Sequence, residues 1–264
     1  MITLLLVEDE KLIRQGIRSM IERSGVLIDE IIECNNGESA LEIIKDRHID
    51  ILFTDIRMPK MNGITLVSEI QKLDKTPLIA AISGFDDFEY AVEMLRNGVR
   101  EYILKPVDRN KITETLEKFV DEIEQQEIKD YQNKKTAIQQ LQFMLFYDHI
   151  TDVEIENICL NVSKYISFEE FFVICFAKKD EDVDLVVPGK SFYIKGQEYL
   201  DILICKPDYK DVILERLANH NIGISTVYYN FMDIKQAFCE AAEMRRTAFE
   251  LCEPVVDATK FTLP

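Results

Sequence analysis

Between residues 1 and 107 the chain repeats one unit five times, a short apolar run followed by a segment with helical spacing. Ile2–Val7 reads as a buried strand, and Leu12, Ile13, Ile17, Met20 and Ile21 follow at helical intervals. Ile31–Cys34 is a second strand, and Asn36-Gly37 turns the chain into a helix over Glu38–Lys45. Ile49–Thr54 is a third strand, Met58–Gly63 a loop, and Leu66, Val67 and Ile70 one face of a helix. Leu78–Ile82 is a strand, Phe85–Arg96 a helix stopped by Asn97-Gly98, and Glu101–Leu104 the last strand. Strands that alternate with helices in this way predict an α/β fold, a five-stranded, doubly wound parallel sheet covered on both faces.

Such a sheet gathers the residues at the carboxyl ends of its strands into one crevice. Glu8 and Asp9 follow strand one, Asp55 strand three, Ser83 strand four and Lys105 strand five. Clustered carboxylates repel one another, so the pattern calls for a cation among them. A hard divalent ion such as Mg²⁺, held by oxygens, suits the group. Asp9 and Asp55 are the expected direct ligands, with Glu8 acting directly or through water. One Asp55 oxygen is then the expected nucleophile toward a phosphoryl group. Lys105 would pair with the phosphoryl oxygens, and the Ser83 hydroxyl would bond to them.

Taken singly, an Asp after a strand, a Ser-Gly turn or a Lys-Pro strand end is ordinary. Together, Val7-Glu8-Asp9-Glu10, Thr54–Gly63 with Asp55 near its start, Ser83-Gly84 and Lys105-Pro106 resemble the receiver domain of two-component response regulators, over about residues 1–120. Glu8 stands where that family more commonly has Asp. The resemblance implies a flavodoxin-like fold and transfer of a phosphoryl group from a sensor histidine kinase to Asp55. It also implies a Mg²⁺ ligand from the backbone carbonyl of Arg57, a cis bond before Pro106, and Tyr102 as the switch aromatic that moves with Ser83. An aspartyl phosphohydrolase on a similar sheet would need a carboxylate two residues past the nucleophile. That position is Arg57, which argues against it.

Beyond Pro106, one long helix is expected over residues 108–147. Ile112, Leu116, Phe119 and Ile123 form a 4-3-4 seam fit for a coiled-coil pair, and Tyr131, Ile138, Leu141 and Leu145 form a second, out of register with it. Whether it is a solvated single linker helix or part of a dimeric coil, a stiff rod of this kind suits relay of a small receiver rearrangement, and a homodimer is expected.

At 264 residues the chain is long enough for two domains. Residues 150–264 read as α+β. Helices are expected over Val153–Tyr165, Asp211–Asn219 and Ile234–Phe249. Strands are expected over Phe171–Ala177, Ser191–Ile194, Tyr199–Cys205 and Ile222–Tyr229, with Val255-Val256 as a possible closing strand. Gly196-Gln197-Glu198-Tyr199 on a hairpin, with the helix around Ala237–Ala242 after Gly223-Ile224-Ser225, resembles a degenerate cyclase-like (GGDEF-like) domain. One glycine and the aspartate of the active signature are missing, which implies a regulatory rather than an enzymatic module. A receiver-controlled diguanylate cyclase and a ligand- or partner-binding second domain are the alternatives. Regulators of this order resemble the AraC-type architecture, which ends in a helix-turn-helix. No such pair occurs before Pro264, so DNA contact is expected only through a domain absent from this chain.

Composition narrows the partners. The net charge is −17, with 16 basic and 22 acidic residues in 1–120 and 15 and 26 in 121–264. A duplex carrying a charge every ~1.7 Å along its axis would repel both halves. The six cysteines form no C-x-x-C pair and most lie in apolar segments, which fits buried thiols in a reducing cytoplasm. The apolar run at the N-terminus breaks at Glu8-Asp9-Glu10, too early for a signal peptide, and no membrane span is expected.

Overall fold

In the computed structural model the run Thr3–Val7 forms strand β1, buried at every residue. The structure describes residues 1–73, 75–84, 96–147, 149–166, 168–177, 186–187, 189–196, 200–217 and 220–260. The chain divides into two compact units, Met1–Ile128 and Lys129–Pro264.

In the first unit β1 is followed by α1 (Lys11–Glu22), β2 (Glu30–Cys34), α2 (Gly37–Asp46), β3 (Ile51–Asp55), α3 (Gly63–Ile70), β4 (Leu78–Ser83) and β5 (Glu101–Leu104). The strands are all parallel, in the order β2-β1-β3-β4-β5. This is the doubly wound, flavodoxin-like order. The expected helix at Phe85–Arg96 lies outside the described residues, apart from Arg96.

Alternation along each strand builds two cores. Leu5, Val7, Leu52, Ile79 and Ala81 meet Ala40 of α2 and Leu66, Val67 and Ile70 of α3. Leu4, Leu6, Ile51, Phe53, Ala80 and Ile82 meet Ile17 and Ile21 of α1 together with Ile112, Leu116 and Phe119. The last three belong to helix α4 (Arg109–Phe146), whose 38 residues cross the unit boundary. They are fully buried, with Phe119 edge-to-face on Phe53 at 6.5 Å. The seam expected to suit a coiled-coil pair is therefore taken up inside its own domain over this stretch. At so short a length, a spacing of 3.5 and the 3.6 of a core-facing helix cannot be told apart.

Asparagines start two of these helices. The Asn36 side chain accepts from Ser39 N at 3.0 Å and that of Asn62 from Thr65 N at 2.8 Å, each satisfying an amide that the helix leaves open.

The second unit takes the last turns of α4, then α5 (Asp152–Val162), β6 (Phe172–Phe176), β7 (Ser191–Ile194), β8 (Asp201–Cys205), α6 (Lys210–Arg216), β9 (Ile222–Ile224), α7 (Ile234–Leu251) and β10 (Val255–Asp257). Its sheet has the order β10-β9-β6-β8-β7, antiparallel except where β9 meets β10. Val173 and Cys175 of β6 face a core shared with Leu141, Leu145, Cys159, Val162, Ala237 and Ala241. Phe172, Ile174 and Phe176 face the other side, against Ile213 and Leu217. A Cβ on Gly223 would come 2.1 Å from the Ala241 carbonyl oxygen, so the glycine sets how closely α7 lies on β9.

One strand is shorter than its sequence suggests. After Ile224 the Ser225 hydroxyl accepts Val173 N at 2.9 Å, and Glu240 Oε2 takes both Thr226 N and Thr226 Oγ1 at 2.9 Å. Ser225 N still donates to Val173 O at 3.0 Å, but side chains take the next amides, and the two segments bridge again where Tyr228 meets Phe171. All six cysteines are unpaired. Cys159, Cys175 and Cys205 are buried, Cys34 is half-buried, and Cys239 and Cys252 are exposed, unlike the burial expected. Among the described residues no helix is long and apolar enough to cross a membrane.

Candidate phosphoacceptor site

β1 and β3 are adjacent and in parallel register, Val7 opposite Thr54, so the residues just beyond β1 and at the end of β3 emerge together. Ligand oxygens of Glu8, Asp9 and Asp55 all lie within 4.8 Å of one another. Glu8 is fully buried, Asp55 nearly so, and Asp9 half-buried.

Lys105 enters from the end of β5. Its Nζ stands 2.7 Å from Asp55 Oδ2 and 2.9 Å from Glu8 Oε2. The contact to Asp55 is a hydrogen bond, whereas that to Glu8 is an ion pair without hydrogen-bond alignment, and Glu8 Oε2 has no other partner among the described residues. The Asp55 Oδ1 atom accepts from Ile56 N at 2.7 Å and, more weakly, from Arg57 N at 3.4 Å. One oxygen of Asp55 is thus fixed by backbone and the other by the ammonium.

Burial pushes the Glu8 carboxyl up to about 7, the Asp55 charge adding to it and the Lys105 ammonium opposing it. For Lys105 burial works against the charge, but its bonds to Asp55 and Glu8 outweigh that and hold the ammonium above its usual range. One ammonium against three carboxylates leaves the pocket short of positive charge. The buried, poorly satisfied Glu8 oxygen beside two further carboxylates is the donor set that a hard divalent cation takes.

Ser83 ends β4, buried, with Oγ 3.2 Å from the Gly84 carbonyl, and its own carbonyl accepts Lys105 N at 2.6 Å. The strand thereby ties the hydroxyl to the lysine. The Lys105–Pro106 peptide is cis, as the sequence resemblance implied. Tyr102 pairs with Ala81 across β4 and β5 and packs against the α3-side core, its hydroxyl without a hydrogen-bond partner among the described residues. A cleft of about 450 Å³ opens beside Asp9, lined by Ile56, Arg57, Met58, Pro59, Asn62 and Ile64. Every residue expected from the sequence at this site lies at the carboxyl end of the sheet, with Tyr102 two residues back from the end of β5.

Sequence reading missed the part played by Gly63. A Cβ there would sit 2.2 Å from the Asp55 carbonyl oxygen, and Gly63 N donates to Ile56 O at 2.9 Å. The signal was present in Met-Asn-Gly, but as a loop motif alone it did not show which backbone the glycine approaches.

Residues 4–117 match the family model described as the response regulator receiver domain. The chain carries a response regulator receiver domain. Its curated relatives include the "Uncharacterized transcriptional regulatory protein YesN" of Bacillus subtilis (strain 168), 34% identical over 137 residues, covering 52% of this chain and 36% of the relative. The transcriptional regulatory protein HptR of Staphylococcus aureus (strain NCTC 8325 / PS 47) is 33% identical over 120 residues, covering 46% of this chain and 47% of the relative. The chain thus spans about a third to a half of the length of the relatives it matches. Among solved structures, the receiver domain of AraT from Geobacillus stearothermophilus is 34% identical with a TM-score of 0.43, covering 47% of this chain and 97% of that one.

Proposed function

We propose that this receiver accepts a phosphoryl group on Asp55 from a sensor histidine kinase and relays the change toward transcription regulation. The observation that carries the reading is the paired fixing of the Asp55 oxygens, Oδ1 by the Ile56 amide and Oδ2 by Lys105, beside Glu8 and Asp9. Glu8, Asp9, Asp55 and the Arg57 backbone carbonyl would hold Mg²⁺, which when bound supplies positive charge to the phosphoryl oxygens. An Asp55 oxygen attacks phosphorus, an O–P bond forms as the phosphohistidine N–P bond breaks, and the electron pair leaves on the imidazole nitrogen. Lys105 shifts from Asp55 Oδ2 to the phosphoryl oxygens. The Ser83 hydroxyl turns from the Gly84 carbonyl toward the same group, and Tyr102 follows it inward. The residues position and neutralise charge, and little acid–base work is required.

The second unit is read as regulatory, a degenerate cyclase-like module rather than an enzyme. Asp201 at its hairpin accepts from Tyr193 Oη at 2.7 Å and Gly196 N at 3.0 Å, so that carboxylate closes the hairpin. Gln197, Glu198 and Tyr199 of the resembling motif lie outside the described residues. The relatives named as transcriptional regulatory proteins support a role in transcription regulation; an AraC-type DNA-binding output and a cytoplasmic homodimer belong to the same proposal.

Acetyl phosphate with Mg²⁺ should add one phosphoryl group to the chain and none to Asp55→Asn, read by intact mass; an unmodified wild-type chain would refute the reading. Incubation with GTP and Mg²⁺ should give no cyclic dinucleotide, and turnover would overturn the regulatory reading of the second unit.

A further inference from the structure

Both polar groups of the Glu8 peptide are held from outside the turn. Its N–H donates to Cys34 O at 3.2 Å, and its carbonyl accepts from Arg14 Nη1 at 2.6 Å. Arg14 stands on α1, 16% exposed, and its Nε donates to Glu33 Oε2 at 3.1 Å. The second oxygen of Glu33 accepts from Arg18 Nη1 at 2.6 Å, and Arg18 Nε reaches Glu22 Oε1 at 2.8 Å. Glu33 lies on the edge strand β2 opposite Leu6, next to Cys34, which pairs with Val7. The turn that carries Glu8 and Asp9 is therefore moored to β2 twice, directly through Cys34 and indirectly through Arg14 and Glu33.

That mooring matters because Lys105 holds the Glu8 side chain, whereas Arg14 and Cys34 hold its backbone. Glu8, Asp9 and Glu10 are consecutive acids, and Glu10 caps α1 without a side-chain bond. Within the turn the stabilising contact is a long one, Glu10 N to Glu8 Oε1 at 3.3 Å. A guanidinium under the Glu8 carbonyl both offsets the local negative charge and fixes the peptide orientation. The rigid planar fork of the guanidinium lets one side chain donate to the carbonyl and to the carboxylate in fixed geometry.

We propose that Arg14 is a positioning residue, which through Glu33 holds the Glu8–Asp9 turn at the spacing that a divalent cation needs. The proposal rests on the reading of this site as a Mg²⁺-dependent phosphoacceptor. Arg14 touches neither the ion nor the phosphoryl group; it acts through the Glu8 peptide.

The test uses the full chain, with Mg²⁺ binding by calorimetry and the Mg²⁺ dependence of phosphoryl acceptance from acetyl phosphate. Arg14→Met should raise the half-saturating Mg²⁺ concentration about tenfold, the low end for loss of a partner behind a metal ligand, while the rate at saturating Mg²⁺ stays near wild type. Glu33→Gln should shift it in the same direction by less, and Arg14→Lys should recover part of the loss. An ion pair that served only to pin α1 to β2 would lower the melting temperature and leave Mg²⁺ half-saturation unchanged, which would overturn the proposal. Should Arg14→Met fail to fold, Glu33→Gln decides by the same measurement. A wild-type chain that neither binds Mg²⁺ nor accepts phosphoryl refutes the site reading itself, an outcome distinct from a competent wild type with an indifferent Arg14→Met.

Discussion

Lys105 Nζ lies 2.7 Å from Asp55 Oδ2, an ion pair joining the ends of two strands that are not neighbours in the sheet. On the proposed phosphorylation of Asp55 the ammonium would exchange the carboxylate for the phosphoryl oxygens. Lys105→Ala should leave Mg²⁺ binding intact or tighter, because a competing positive charge is gone. The same variant should lose the conformational response to phosphorylation, measured by hydrogen exchange of β5. An unaltered exchange response would remove Lys105 from the switch.

Gly63 permits α3 to begin against the Asp55 backbone, where a Cβ would press 2.2 Å from a carbonyl oxygen. Backbone cannot swing aside as a side chain does. Gly63→Ala is expected to cost roughly 1–3 kcal/mol, typical of overpacking, and to slow phosphoryl acceptance by displacing Asp55. Thermal melts and acetyl phosphate kinetics check both; a neutral variant would show that the contact relaxes freely.

Phe119 tests which core owns the start of the long helix. Fully buried on Phe53, it should cost about 3–5 kcal/mol on truncation in Phe119→Ala, at a protein concentration where association is absent. A loss that appears only at concentrations favouring dimers would instead return this seam to a coiled coil.

The second unit closes with Lys210 Nζ on Asp257 Oδ2 at 2.7 Å, where Asp257 also receives Thr259 N and Oγ1. Burial alone would raise the Asp257 carboxyl, but these bonds outweigh it and hold it below the usual range. A carboxyl depressed in the fold contributes stability that is fully present above its unfolded value of about 3.9 and is lost as pH falls through the lower folded value. Asp257→Asn should therefore destabilise the protein by roughly 1.5–3 kcal/mol at pH 7, as loss of a charge-assisted bond does, and flatten this part of the acid titration. An equal difference between variant and wild type at pH 7 and pH 3 would count against the pair.

The central strands β1, β3 and β4 were legible because burial on both faces makes them nearly continuous apolar runs, and the edge strands β2 and β5 because they alternate with helical segments. Glu8, Asp9, Asp55, Ser83 and Lys105 were legible because that topology brings strand ends together. Arg14 was not, since it reaches the backbone carbonyl of Glu8 and a carboxylate on another element, Glu33, and no periodicity marks either contact. The seam at Ile112, Leu116 and Phe119 was visible as apolar, but a helix face does not state which surface covers it. The strand after Ile222 was read too long because Glu240, a helix residue, captures the Thr226 amide.

The central claim is tested most directly by trapping the acyl phosphate. The full chain would be treated with acetyl phosphate and Mg²⁺, reduced with borohydride and mapped by peptide mass spectrometry. The reduced product is expected at Asp55 alone, and it should disappear when a chelator removes Mg²⁺. Product at another residue, or undiminished labelling in the presence of the chelator, would contradict it.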